Sequence, residues 1–261
     1  MRREEGAERG ARSGADPRIA SKFLASGDTA LVIEFGRSVD PTVSELVLAL
    51  AQRVEAAAIA GVVEVVPTFR SLMVHYDPLA LTQAALKRAL RPMLSGLKGS
   101  TRSGQHWLIP TCYDESVGLD LAEVAARTGL TVPALVALHS AASFRVYMMG
   151  FLPGFPYLGG LPGALELPRR ETPRVRVPRG SVAIAMDMTC IYTLESPGGW
   201  HVLGRTPAAL FDLRRDPPAP LAAGDTVTFR PISLCEYDRL AAEAAAGGLA
   251  MRAFPNPEPS R

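Results

Sequence analysis

Residues 150–162 read GFLPGFPYLGGLP, a stretch that combines turn-forming residues with aromatic residues. It holds four glycines, three prolines and three aromatic residues. Turn-forming residues at this density are incompatible with a helix or a regular strand, because proline lacks a backbone donor and glycine weakens both elements. Three aromatic side chains are also atypical of a solvated loop. We therefore expect an ordered loop that buries apolar surface.

Strand-like and helix-like patterns alternate upstream of this loop. Residues 29–35 alternate as a strand does, and Asp40 followed by Pro41 predicts a helix that ends at Gly61. Strands at 62–66 and 72–76, a helix between 79 and 94 and a strand at 106–110 are expected next. This β-α-β-β-α-β order is typical of a ferredoxin-like domain. We assign it to residues 19–110, a small α/β N-terminal domain.

The pattern changes after residue 110. Asp120 and Thr131 each open a short helix, and short β-like runs follow as far as residue 232, separated by glycine and proline turns. Such a series predicts a sandwich or a barrel. Ser233 and Glu236 form a capping box that starts a last helix. We assign residues 111–261 to this second domain, so the fold class is α+β.

Composition narrows the functional class. The chain has 261 residues and a net charge of +2, which gives no indication of nucleic-acid or membrane binding. Its three cysteines are far apart and odd in number, which argues against a disulfide framework and favours a cytoplasmic location. Residues 1–18 are charged and nearly devoid of large apolar side chains, so we predict a disordered tail there.

Familiar catalytic motifs are absent from the sequence. None of the three lysines follows a phosphate-binding glycine pattern, and the four histidines lie at least 31 residues apart. We therefore expect no metal site. The candidate catalytic residue is His139, near the end of a short helix, where a helix dipole favours histidine whatever its function.

Arginines are concentrated just after the loop. Residues 168–180 hold five arginines and one acid, and guanidinium groups bind carboxylates and phosphates with two parallel hydrogen bonds. Arg170 and Arg174 are candidate anion-binding residues. Strand-like alternation assigns Arg176 and Arg179 to a solvated edge instead.

A third unusual segment, SPGGWHVLGRTP, spans residues 196–207. Its Pro-Gly-Gly turn is followed by Trp200, which begins a strand. Arg205 lies at the far end of that strand between Gly204 and Thr206, outside an obvious packed stripe. It is the third candidate anion-binding residue.

These motifs together resemble one family. GFLPGFPYLGGLP, PRRETPRVRVPRGSVAIA, SPGGWHVLGRTPAALFD and GDTVTFRPI, in this order, are similar to the allophanate hydrolase subunit 1 family. That family includes the B component of bacterial ATP-dependent 5-oxoprolinase and the kinase inhibitor KipI. The resemblance covers residues 24–232 and implies a small α/β domain followed by a cyclophilin-like β-barrel.

The resemblance also implies a shared site. It implies a non-autonomous subunit that pairs with a cyclophilin-like subunit 2 protein (the C-type component) and with a third, LamB/YcsF-type subunit. The complex would use ATP to open the lactam of 5-oxoproline to glutamate, an amide-hydrolase activity. Alternatives within the family are a KipI-like inhibitor of a sensor histidine kinase and half of a urea carboxylase-type module. The residues implied in a pocket wall or partner interface are Phe151, Phe155, Tyr157, Thr189, Tyr192, Ser196, Gly198 and Trp200.

The chain departs from the family pattern at one place. Relatives commonly read SVAIAGGQTGIYP, whereas residues 181–196 read SVAIAMDMTCIYTLES. Met186, Asp187 and Cys190 thus replace glycines, Thr193 replaces a proline, and His201 replaces a glutamine further on. Since glycine permits a positive φ and close backbone approach, we expect these replacements to reshape that wall.

Overall fold

The computed structural model describes residues 21–99, 104–248 and 251–255. The predicted disordered tail, residues 1–18, lies outside the described residues. Within them, the secondary structure divides into an N-terminal unit and a larger β-rich unit.

The N-terminal unit is one antiparallel sheet covered by helices. Its elements are β1 (Lys22–Ser26), β2 (Ala30–Glu34), α1 (Pro41–Ala57), β3 (Val62–Pro67), β4 (Ser71–Tyr76) and α2 (Gln83–Leu90), which continues into a 3-10 turn at Arg91–Leu94. The strand order is β1-β2-β4-β3. Leucines, isoleucine and valines from both layers form its core, among them Leu31, Ile33, Val47, Leu50, Leu72, Val74 and Leu86.

Helix α1 begins as the sequence predicts. The Asp40 carboxylate accepts the backbone N–H groups of Thr42 (2.8 Å) and Val43 (3.2 Å), and Pro41 occupies the first turn. These hydrogen bonds lower the pKa of Asp40. The helix ends earlier than predicted, because Ala58 adopts a left-handed φ of 42° and Gly61 lies in the following turn.

The ferredoxin-like prediction is not confirmed. The strand at 106–110 that it requires lies inside β5 (Gln105–Cys112), which pairs in the second unit. The edge position beside β2 is taken by β1, through a hairpin that includes Gly27 at φ 61°. Strand β5 belongs to the second unit because its side chains Trp107 and Ile109 are buried in the core of that unit. The expected domain boundary at residue 110 therefore falls within a strand, and we propose that the boundary precedes β5.

The second unit comprises the remaining elements. In chain order they are α3 (Leu121–Thr128), α4 (Val132–Ala141), β6 (Phe144–Met149), β7 (Pro156–Gly159), a 3-10 turn (Gly163–Leu165), β8 (Arg174–Val177), β9 (Ser181–Ala185), β10 (Met188–Ile191), β11 (Ser196–Gly198), β12 (His201–Arg205), β13 (Thr226–Ile232), α5 (Leu234–Ala245) and β14 (Arg252–Pro255). Ser233 caps α5 by accepting the N–H of Glu236 at 3.2 Å, as predicted.

Seven strands of this unit close into a barrel, which confirms the predicted β-barrel. The order β12-β9-β10-β7-β6-β13-β5 is closed by pairing of β5 with β12 at Cys112 and Arg205. Strands β5 and β13 run parallel, whereas the other neighbours are antiparallel. Strand β14 adds to β5, and β8 pairs with β11 as a separate two-stranded sheet.

The barrel carries apolar side chains on two faces. Alternation along β9 sends Val182 and Ile184 into the main core, while Ala183 and Ala185 belong to a second cluster on the outer face. Phe155, Tyr192 and Trp200 join that second cluster. The turn that precedes β7 therefore packs Phe155 against the outside of the barrel, whereas Leu158 of β7 itself belongs to the main core.

Helices α3 and α4 meet at a sharp bend of 93°. Helix α4 packs on β13, with Leu135 and His139 fully buried. In the described part of the chain, no single helix is long and apolar enough to cross a membrane; α3 and α4 meet that test by length and composition only when they are taken together.

Candidate functional site

Residues 150–155 form an ordered turn that leads into β7. Gly150 N–H donates to Phe155 O and Phe155 N–H donates to Leu152 O, both at 3.0 Å. Gly154 has a φ of +69°, and a Cβ atom there would lie 2.6 Å from Leu210 O. Position 154 therefore requires glycine for two reasons. The backbone has a positive φ, and the segment that contains Leu210 approaches too closely for a side chain.

Aromatic rings from three segments meet on this outer face. Phe155 contacts Tyr157 (centroids 5.1 Å apart) and Tyr192 (5.3 Å), and Tyr157 contacts Trp200 at 6.1 Å. Edge contacts of this kind stabilise ring pairs beyond their buried area. The structure thus brings together four of the residues expected in a pocket wall or interface. Three of these rings, those of Phe155, Tyr192 and Trp200, are buried and fill the face rather than line an open pocket.

Phe151 is the exposed member of this group. Its ring packs edge-on against Phe155 at 5.4 Å, yet its side chain is 63% exposed. Its φ of 69° is unusual for a bulky residue. A large ring held outward on a fixed turn suits contact with another molecule.

The other expected wall residues have different surroundings. Thr189 lies inside the barrel, where its hydroxyl donates to Ala183 O at 3.0 Å. Gly198 lies against the Tyr192 hydroxyl, so a Cβ atom there would overlap it. The Ser196 hydroxyl is buried and has no hydrogen-bond partner among the described residues.

Two of the candidate anion-binding arginines are bound to a buried carboxylate. Arg174 makes a two-pronged contact with Asp120, with Nη1–Oδ2 at 2.7 Å and Nη2–Oδ1 at 2.6 Å. Arg170 Nη1 donates to the same Asp120 Oδ1 at 2.6 Å and to Glu123 Oε2 at 3.2 Å. The internal acid therefore occupies the role that we expected of a ligand anion.

Asp120 was missed as a functional residue by sequence reasoning. It starts α3 as predicted, but its side chain makes no helix-capping hydrogen bond. Instead Oδ2 accepts the N–H of Val202 at 2.7 Å, so one carboxylate joins α3, the arginine segment and β12. The sequence feature that could have indicated this role is the excess of arginines in 168–180. Partly buried arginines need acidic partners, and this segment has too few of its own.

Arg205 lies apart from the other two arginines. It ends β12, whereas Trp200 precedes the start of that strand. Its Nε donates to Arg179 O at 2.7 Å, and its guanidinium faces a cavity beside α5. The three predicted anion-binding arginines therefore do not converge on one ligand.

His139 is buried within the barrel. Its ring stacks on Phe229 at 4.8 Å, and desolvation lowers its pKa to about 3, so the imidazole is neutral. Tyr113 Oη lies 2.8 Å from Nδ1, and Thr189 Oγ1 lies 3.3 Å from Nε2. Since Thr189 donates to Ala183 O, it must accept from Nε2–H, and Nδ1 then accepts from Tyr113.

Three of the five positions that depart from the family pattern have distinct surroundings. Met186 has a left-handed φ of 56°, the conformation that a glycine there would adopt without strain. Cys190 is buried in the outer cluster, and burial raises its pKa well above the ordinary value. His201 Nε2 donates to Pro168 O at 3.0 Å, which anchors the start of the arginine segment.

No group of three or more histidine, cysteine or acidic side chains among the described residues could hold a metal ion.

Comparison with known proteins decides the family. The model of the carboxyltransferase domain, subdomain C and D, matches residues 21–221. The chain belongs to this carboxyltransferase family. The resemblance found in the sequence is also confirmed by relatives named as the B component of 5-oxoprolinase. The one from Bacillus subtilis is 36% identical over 222 residues, covering 81% of this chain and 92% of that protein. The one from Escherichia coli is 40% identical over 208 residues, covering 78% and 93%.

Solved structures of other proteins share this fold. The protein TTHA0988 is 40% identical with a TM-score of 0.70, over 78% of this chain and 40% of that one. This chain thus spans less than half of that longer chain. The urea amidolyase of Kluyveromyces lactis superposes with a TM-score of 0.76 at 20% identity, over 94% of this chain and 17% of that one, which shows the fold alone.

Proposed function

We propose that this carboxyltransferase-family chain is the B-type component of an ATP-dependent 5-oxoprolinase, which opens the lactam of 5-oxoproline to glutamate. The observation that carries the proposal is the match to two proteins named as that component of 5-oxoprolinase. They are 36% and 40% identical to this chain, and the match covers 92% and 93% of their lengths. Because the match spans nearly the whole length of these relatives, it supports the same subunit role for this chain.

The side chains support a subunit that shares its active site. His139 is neutral and enclosed by the barrel core, so it is poorly placed to meet a substrate. Arg170 and Arg174 are paired with Asp120, and Arg170 also with Glu123. A lactam carbonyl is a poor electrophile, and transfer of a phosphoryl group from ATP to its oxygen would make it attackable by water. We propose that the ATP chemistry is completed on partner subunits, while this chain contributes binding groups and an interface.

The surface around Phe151 is the proposed interface. Leu194 is 38% exposed and follows Thr193, whose hydroxyl donates to Pro153 O in the same turn at 2.8 Å. Phe151 and Leu194 therefore present apolar surface from two segments that are fixed to each other. Aromatic anchors of this type dominate the energy of many interfaces. The partner we propose is a cyclophilin-like protein of the C type, joined by a LamB/YcsF-type protein.

Co-expression with candidate partner subunits tests this function. We expect the partners to co-purify and the complex to release glutamate only when ATP and 5-oxoproline are both present. Phe151→Asn, which keeps a residue that tolerates positive φ, should weaken co-purification. Leu79→Asn is the matched control, because Leu79 is 96% exposed on the N-terminal unit. Co-purification that is unchanged by Phe151→Asn would contradict the proposed interface.

A urea carboxylase-type role is the second candidate. The urea amidolyase of Lachancea kluyveri is 24% identical over 267 residues, covering 90% of this chain and 14% of that protein. The reconstituted complex should then carboxylate urea when bicarbonate and ATP are supplied, and leave 5-oxoproline unchanged. The third alternative, a KipI-like inhibitor, predicts that the chain suppresses autophosphorylation of a sensor kinase without any partner protein.

A further inference from the structure

A cavity beside α5 collects basic side chains that the sequence does not place together. Its volume is about 360 Å³. Its lining includes Arg179, Arg205, Thr206, Asp212, Arg214 and Tyr237. These residues come from the end of the arginine segment, the end of β12, the loop after it and α5. Small alanine side chains of α5 leave the space open on the helix side.

Two of the three arginines in this cavity lack a counter-charge. Arg214 is neutralised by Asp212, with Nη2–Oδ2 at 2.8 Å and Nε–Oδ1 at 2.9 Å. Arg179 and Arg205 form no ion pair with any acid among the described residues. The cavity therefore carries an excess of about two positive charges from these groups.

Arg205 is held in place for binding. Its Nε donates to Arg179 O at 2.7 Å, which fixes the plane of the guanidinium and leaves its two terminal nitrogens as donors. The side chain is half-buried, unlike that of a freely solvated surface arginine. An arginine whose geometry is fixed loses less conformational entropy when it binds an anion.

Tyr237 supplies a neutral donor to the same cavity. Burial is the largest influence on its phenol and raises the pKa, while the charges of Arg205 and Arg179 act in the opposite direction. Both guanidinium groups thus lie within electrostatic range of the hydroxyl. The exposed acid Asp238, next in the chain, reinforces the rise. The phenol remains protonated at neutral pH and can donate a hydrogen bond.

We propose that Arg205, Arg179 and Tyr237 form a binding site for an oxyanion, either a carboxylate or a phosphate group of a small molecule. Two charged donors and one neutral donor match the oxygens of either group. The site is complete within this chain, so the proposal does not depend on the proposed function. It would remain valid if the complex did not act on 5-oxoproline.

Calorimetric titration of the purified full chain tests this site. The probes are inorganic phosphate, 5-oxoproline and glutamate, each at an ionic strength held constant with sodium chloride. We expect saturable binding of at least one probe, and the preferred probe distinguishes phosphate from carboxylate. Arg205→Ala should weaken binding by about tenfold or more, since hydrogen bonds to charged groups contribute on that scale.

Three further variants separate loss of this site from misfolding and from a general loss of positive charge. Arg179→Ala removes an exposed side chain and keeps the carbonyl that holds Arg205, so it should fold normally and also weaken binding. Tyr237→Phe should weaken binding by a smaller factor. Arg176→Ala is the control, because Arg176 is 76% exposed and pairs with Glu195. The proposal is overturned if no probe binds saturably, or if Arg179→Ala and Arg205→Ala both bind like the unaltered chain.

Discussion

Asp120 accepts hydrogen bonds from three residues in two separate parts of the chain, the arginine segment and β12. Arg170, Arg174 and the Val202 backbone all donate to its carboxylate at 2.6–2.7 Å. Local sequence patterns predict where α3 starts, but they do not encode a contact between residues 54 positions apart. For this reason the sequence pointed to an external anion as the partner of the two arginines. Their position in the chain was predictable, whereas their partner was not.

Replacing Asp120 with Asn should strongly destabilise the fold. Breaking a buried ion pair leaves charge without compensation and typically costs about 3–5 kcal/mol, and less where the arginines keep some contact with water. We expect the free energy of unfolding in urea to fall by about 2–4 kcal/mol. Glu123→Gln is the matched control, because Glu123 is 47% exposed and should change it by less than about 1 kcal/mol. Equal losses in the two variants would contradict the central position of Asp120.

His139 should make stability depend on pH in a defined direction. Its folded-state pKa of about 3 lies below the ordinary 6.5, so below pH 6.5 the unfolded chain binds a proton that the folded chain does not. The stabilisation from neutral His139 is therefore complete above that pH and is lost progressively as the pH falls toward 3. His139→Gln should reduce the slope of unfolding free energy against pH between about 6.5 and 4.5. Identical slopes in both proteins would refute the assignment.

At the scale of elements, caps and periodicity predicted most helices and strands. Helices α1 and α5 begin at the predicted caps, Asp40 and Ser233. The strand at 106–110 was also found, but its partners were wrong, because alternating apolar residues fit one sheet as well as another. The separate strand β1 was missed. The stretch at 150–162 is ordered, as its glycines and aromatic residues indicated, but the expectation that it holds no regular strand was wrong, because Pro156–Gly159 forms β7. Leu158 of that strand is buried in the main core, and this burial outweighs the local preference of glycine and proline for turns.

Glycine requirements in the loop at 150–162 are testable one position at a time. Gly154→Ala should destabilise the chain by about 1–3 kcal/mol, because it combines a left-handed φ with a contact against Leu210 O. Gly163→Ala, just beyond the loop, should change stability by less than about 0.5 kcal/mol. Gly163 has an ordinary φ, and a Cβ atom there would meet only Glu166 Oε1 at 3.8 Å. Thermal unfolding followed by circular dichroism compares the two, and equal melting temperatures would contradict this role of Gly154.

At the scale of the whole molecule, the two units are joined by a small aromatic contact. Phe69, between β3 and β4, meets Tyr157 at 5.6 Å and Tyr147 at 6.2 Å. Glu45 on α1 and Arg145 on β6 add an ion pair at 3.7 Å. The N-terminal unit is thus attached beside the aromatic cluster of the barrel. Such contacts join segments that are distant in the sequence, so local sequence patterns did not predict how the two units meet.

Phe69→Ala should loosen the two units from each other. Both tryptophans, Trp107 and Trp200, lie in the barrel unit, so their fluorescence reports unfolding of that unit, whereas circular dichroism reports both. We expect one shared urea transition for the unaltered chain and separated transitions for Phe69→Ala. Val63→Ala is the control, because Val63 is 72% exposed on the N-terminal sheet, and its fluorescence and circular dichroism transitions should coincide. Coincident transitions in Phe69→Ala would show that this contact does not couple the units.

The most direct test of the proposed function is an omission experiment on the reconstituted complex. Glutamate release from 5-oxoproline and ATP is measured for the partner proteins alone and after addition of this chain. The proposed function predicts that glutamate appears only when the chain is present, with ATP hydrolysis coupled to it. Turnover that is the same without the chain, or no turnover when all components are present and assembled, would contradict it.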